Sequence, residues 1–142
     1  MFLNYLGFRL GGAASGTELS YNLWQAVLVI GILPAIAEEV VFRGLLQGAY
    51  MKESVFYSIL FSSLYFSVVH MNISAVMYAF FYGCLFALVR IVTNNLVYTM
   101  IMHSLFNIIN VCLYYCKGFS FSDAWIIALS VLVGMLFCII LG

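Results

Sequence analysis

Long apolar blocks separated by short polar breaks divide the chain: Leu23 to Tyr50, Val55 to His70, Ala75 to Val92, Leu96 to Tyr115 and Ala124 to Leu141. Set against the roughly 20 apolar residues needed to cross a bilayer as a helix, each block predicts one membrane span. The breaks carry helix-capping chemistry in Lys52-Glu53-Ser54, Asn72-Ile73-Ser74, Thr93-Asn94-Asn95 and the stretch from Lys117-Gly118 to Asp123. Loops this short make neighbouring helices antiparallel. The expected fold class is all-α, a polytopic transmembrane bundle of about five helices, with residues 1–22 as an N-terminal loop or interfacial segment and 23–142 as the membrane core. Residues 1–16 are interrupted by Gly7, Gly11, Gly12 and Gly16 and lack a basic start followed by an apolar block, so they do not read as a cleavable signal peptide.

Composition agrees with the pattern. The 142 residues are 66% hydrophobic and 7% charged with a mean hydropathy of +1.15, which places the chain in a membrane rather than in solution. Five basic and five acidic residues give zero formal charge, so there is no electrostatic footprint for nucleic acid and no polybasic patch for anionic lipid, and neither partner class is supported. Lys and Arg do not orient the bundle, because Arg9 and Lys117 fall on one side and Lys52 and Arg90 on the other. Cys84, Cys112, Cys116 and Cys138 lie inside apolar runs and read as buried thiols, not as disulfides or a cysteine zinc site. Small residues recur every fourth position at Gly44 and Gly48, at Ala75, Ala79, Gly83 and Ala87, and at Ser130, Gly134 and Cys138, which suits close packing within one bundle. The Asn72-Ile73-Ser74 triplet is formally a glycan acceptor but is better read as a cap beside a membrane helix.

Against this background Glu38-Glu39-Val40-Val41-Phe42-Arg43 stands out, three ionisable groups within two turns of an apolar helix. Each such group costs about 2.5 to 3.5 kcal/mol at the centre of a membrane helix, so the cluster demands partners and a purpose. On an ideal α-helix Arg43 lies about 40° from Glu39 and about 140° from Glu38, so Glu39 and Arg43 form the expected structural pair. Glu38 is left for another role. Pro34, one turn earlier, removes a helical hydrogen bond and can release a backbone carbonyl near the site.

Both histidines, His70 and His103, also fall in or at the end of apolar blocks. Phe66 precedes His70 by four residues and Asn107 follows His103 by four, so His103 and Asn107 share a face about 6 Å apart and can donate to one ligand atom, such as a developing oxyanion. Antiparallel order puts His70 near the side where the first helix begins and Glu38, His103 and Asn107 nearer mid-membrane, so their convergence needs helix tilt, and depth alone, uncertain by about a turn, neither proves nor excludes contact. Met71, Met77, Met100, Met102 and the many Phe and Tyr residues read as lipid-facing or packing side chains, and Lys52, Glu53, Arg90, Lys117 and Asp123 as interfacial or solvated helix ends.

Glu38-Glu39-x-x-x-Arg43, Phe66-x-x-x-His70 and His103-x-x-x-Asn107, in that order, resemble the three motifs of the CAAX protease and bacteriocin-processing family (CPBP, Abi-type). The eukaryotic type II CAAX prenyl endopeptidase belongs to that family. The resemblance spans about residues 30 to 110, including Tyr82-Gly83 and the Thr93-Asn94-Asn95-Leu96 turn, and leaves no motif residue substituted. It implies an intramembrane endopeptidase in which Glu38 and His70 activate a water, His103 and Asn107 form an oxyanion hole, and Glu39 with Arg43 is structural. On this view 23–142 is the catalytic core, the partners are membrane lipid and a membrane-associated peptide or lipidated protein, and the location is a bacterial plasma membrane. Family members usually carry further helices upstream, so the chain reads as one that has lost them or as a compact version of a larger fold.

Other classes remain open from the residues alone. Glu38, His70 and His103 would also make a zinc set with an open position, although there is no His-Glu-x-x-His helix and the oxyanion role accounts better for Asn107. No cofactor is favoured. Buried Glu and His residues serve proton-coupled transport as well, against which stand the lack of paired broken helices and of an inverted repeat. A non-catalytic membrane scaffold would keep the same motifs for folding.

Overall fold

The structure, a computed structural model, describes residues 21–71 and 73–115. The segment 1–20, the Asn72 cap and the expected fifth helix at 124–141 lie outside the described residues. The described residues form four helices and no strand: α1, Leu23–Met51; α2, Val55–Val68; α3, Ile73–Thr93; and α4, Leu96–Tyr115. Helices α1, α3 and α4 are long and apolar enough to cross a membrane, as the block pattern predicts.

Helix α1 starts on a capping box, in which the Asn22 side chain accepts from the Gln25 amide and the Gln25 side chain from the Asn22 amide, both at 3.0 Å. Each satisfies a donor that the first helical turn leaves open. Two π-helical stretches, Val27–Ile32 and Val40–Leu46, interrupt the α-helix. The first ends beside Pro34, which has no amide to give, and the second holds Arg43. Along an α-helix, steps of four residues drift about 40° around the axis; a wider π turn reverses the sense of that drift, so mixing the two limits it. Glu39, Arg43 and Gln47 therefore all face inward, each at most 1% exposed.

Helix α2 corrects the second expected span. It stops at Val68 rather than His70, because Met71 adopts φ 48° and the chain closes through His70 N–H to Ser67 O and Met71 N–H to Val68 O. Fourteen residues reach only about 21 Å, short of a full crossing. Its buried face is polar: Ser58, Ser62, Ser63 and Ser67 are all 0% exposed. Ser58, Ser62 and Ser67 give their hydroxyl protons to carbonyls three residues back, so small side chains close the helix surface without leaving those donors unmet.

That flat surface receives α3 through buried Ala79, Gly83 and Ala87, the small-residue stripe read from the sequence. A Cβ at Gly83 would sit 3.0 Å from both Cα and Cβ of Ser63. Elsewhere α1 and α4 join over Ala26, Ile30 and Val111, and α3 and α4 over Phe86, Val89 and Met102. Met102 is thus core, whereas Met71 and Met77 are 81% and 60% exposed on the outer surface, together with Trp24, Leu45, Phe56 and Phe81.

Gly83→Ala should force α2 and α3 apart at a backbone contact. We expect a loss of about 1 to 3 kcal/mol, read as a lower melting temperature in detergent, whereas Gly48→Ala, whose Cβ would meet nothing within 4 Å, should change little.

Candidate active site

The three polar elements of the sequence meet at the centre of α1. Glu39 is fully buried, and its Oε1 lies 3.0 Å from Arg43 Nη1 and 2.9 Å from His103 Nδ1. A carboxylate oxygen only accepts, so His103 carries its proton on Nδ1 and donates it to Glu39. Arg43 Nη2 donates in turn to the Gly83 carbonyl at 3.1 Å, and one turn further the Gln47 Nε2 donates to Ala87 O at 3.0 Å. The stripe that lets α3 approach also presents the backbone carbonyls that satisfy α1.

Aromatic rings fix the remaining freedom. The Phe66 ring lies 4.3 Å from the Arg43 guanidinium carbon, 4.9 Å from the His70 ring and 5.6 Å from the His103 ring. Phe86 stacks on His103 with centroids 5.0 Å apart and faces the Arg43 cation at 5.4 Å. A guanidinium held against π faces in a dry site is stabilised without a second carboxylate.

Glu38 is placed differently from its neighbour. Its side chain keeps 20% of its surface, and its Oε2 stands 3.8 Å from His103 Nε2, beyond hydrogen-bond length. That Oε2 atom is itself buried and accepts no hydrogen bond from the described residues. Such an oxygen calls for a donor, because an unmet buried acceptor costs about 1 to 3 kcal/mol. His70 Nδ1 lies 2.7 Å from the Phe66 carbonyl and so also carries its proton on Nδ1, leaving Nε2 as an acceptor. Asn107 is buried on the same face of α4 as His103, and its Nδ2 approaches the Gly31 carbonyl at 3.4 Å. A backbone carbonyl just upstream of Pro34 is thus drawn into the site.

Two refinements follow for the sequence expectations. His103 does not have both ring nitrogens free for a ligand, since Nδ1 serves Glu39. Gln47, Phe66 and Phe86 belong to the site's frame, although only Phe66 stood in a motif. An amide inside an apolar helix, four residues after Arg43, was a signal for Gln47; nothing in the sequence separates Phe86 from the other twelve phenylalanines. Among the described residues no group of three or more His, Cys, Asp or Glu side chains is grouped to hold a metal ion, Glu38, His70 and His103 included.

A bundle of apolar helices with carboxylates and histidines gathered from α1, α4 and the turn after α2 defines an integral membrane protein with a buried polar site. The family model of the type II CAAX prenyl endopeptidase Rce1-like proteins matches residues 20–109, more than half of the chain. The chain belongs to that family, one of CAAX-type intramembrane proteases. Neither a curated protein nor a solved structure matches it.

The two glutamates should respond very unequally to loss of charge. Glu39→Gln strands a buried guanidinium and should cost about 3 to 5 kcal/mol of stability, seen as a large drop in detergent melting temperature. Glu38→Gln, which breaks no hydrogen bond, should stay within about 1 kcal/mol.

Proposed function

We propose that the protein is an intramembrane endopeptidase that hydrolyses a peptide bond of a membrane-associated substrate, a prenylated C-terminus or a leader peptide, through water activated by Glu38 and His70. The observations that carry this reading are the partly exposed Glu38 carboxylate, whose unmet Oε2 stands 3.8 Å from His103 Nε2, and a His70 that packs with His103 on the Phe66 ring and has its Nδ1–H already committed to Phe66 O. Both groups then offer acceptors to one water. Glu38 takes a proton as the water oxygen attacks the carbonyl carbon, His70 Nε2 holds the water's second proton in position, and protonated Glu38 returns its proton to the leaving amine.

The negative charge that develops on the carbonyl oxygen falls to His103 and Asn107. With Nδ1–H given to Glu39, His103 donates to substrate only from a protonated Nε2. Glu39 and Arg43 act through His103 by fixing its tautomer and orientation. Asn107 supplies the second donor from one turn along α4.

Purified protein should lose cleavage of a prenylated or leader peptide by about 10² to 10⁴-fold in Glu38→Gln and in His70→Ala, and by about 10² to 10³-fold in Asn107→Ala. Turnover retained by folded Glu38→Gln would overturn the proposal. Chelation should leave activity unchanged; loss on chelation with recovery on adding zinc would instead assign Glu38, His70 and His103 to a metal.

A further inference from the structure

At the far end of α1 from the capping box, Arg43, Gln47, Lys52, Arg90 and Asn94 line a cleft of about 280 Å³, with Gly48 leaving room beside them. Arg43, Lys52 and Arg90 are all the Lys and Arg residues of the described part of the chain, and none of its acidic residues, Glu38, Glu39 and Glu53, lines the cleft. Cations that are scattered at positions 43, 52 and 90 of the sequence converge in space. Lys52 follows the last residue of α1 and Arg90 lies in the last turn of α3, which sets both at the level where helices leave a bilayer. Gln47 lies about 7.5 Å deeper along α1.

Three polar atoms there have capacity to spare. Arg43 Nε and Arg90 Nε are buried donors without a partner among the described residues, and Gln47 Oε1 is a buried acceptor without one. Gln47 is 1% exposed, and its amide group is oriented by the bond from Nε2 to Ala87 O. Arg90 is braced by its Nη1–H to Asn94 Oδ1 at 3.0 Å. The cleft therefore asks for an anion near its mouth and a hydrogen-bond donor at its base. Glu38, His70 and His103 do not line it, and Arg43, 1% exposed, stands between it and them, so it is not the track of the peptide being cut.

We propose that this cleft binds the phosphate of an anionic lipid headgroup, as in phosphatidylglycerol, with Lys52 and Arg90 on the phosphate and a headgroup hydroxyl donating to Gln47 Oε1. A lipid source fits a site at the end of membrane helices, where surface cations each add to the attraction of anionic lipid and the acyl chains run down the apolar outer surface.

The test uses the full chain in detergent micelles, titrated with short-chain phosphatidylglycerol, phosphatidylcholine or inorganic phosphate and followed by thermal shift. Phosphatidylglycerol should stabilise the protein, and Lys52→Ala combined with Arg90→Ala should weaken its binding about tenfold or more. Adding Glu53→Gln to that double variant restores one unit of net charge outside the cleft and should not restore binding. Equal binding by the double variant, or recovery with Glu53→Gln, would overturn the site. Displacement by inorganic phosphate at matching concentration would assign free phosphate rather than lipid, and displacement by a peptide with a free C-terminal carboxylate but not by its amide would assign the peptide terminus; either overturns the lipid. If the double variant fails to fold, acylation of Lys52 in wild-type protein decides: it should be slower in vesicles containing phosphatidylglycerol than in phosphatidylcholine alone, and equal rates would sink the proposal.

Discussion

A carboxylate with no exposed surface, on a helix meant for a bilayer, governs the arrangement of everything around it. Glu39 is tolerable only because Arg43 and His103 both reach Oε1, and each of those partners brings its own requirement. Arg43 needs the Gly83 carbonyl and the faces of Phe66 and Phe86. His103 needs α4 held against α1. One buried charge thereby ties four helices together, since Phe66 comes from α2, Gly83 and Phe86 from α3 and His103 from α4.

The same constraint sets the character of the packing. A guanidinium can use an α3 carbonyl only if α3 lies close, and α3 lies close only where both surfaces are small: serines on α2, and Ala79, Gly83 and Ala87 on α3. Widening α1 over Val40–Leu46 keeps Glu39, Arg43 and Gln47 all facing inward. Bulk apolar side chains, freed from the interior, cover the outside. The result is a bundle whose polar groups face in and whose apolar groups face out, as a lipid solvent requires.

The neutralised pair also separates two regions of different chemistry along one helix. On one side Glu38 keeps access and spare acceptor capacity 3.8 Å from His103 Nε2, which suits the proposed activation of water. On the other side lies a cleft in which the cations outnumber the acids, which suits an anion. Arg43 touches both, yet its charge is spent on Glu39. The division between neighbours at 38 and 39 is therefore a division of labour set by burial, 20% against 0% of the side chain.

Much of this was written in the sequence. Apolar blocks gave the four described helices to within about two residues at each end, since the cost of an unpaired backbone in lipid leaves no alternative, and ionisable residues announced themselves because such a medium makes them expensive. The spacing of Glu39 and Arg43 put them within reach of each other, and the family motifs drew attention to His70, His103 and Asn107. Long-range geometry decided the rest. Which nitrogen of His103 is occupied depends on α4 meeting α1, the early end of α2 depends on a positive φ at Met71, and Phe86 matters only because it lies under a histidine seventeen residues away. Positions 43, 52 and 90 carry no linear pattern; they become one cationic cleft only when α1 and α3 end side by side. Local chemistry fixes which groups must be satisfied, and only the packing of distant segments fixes what satisfies them.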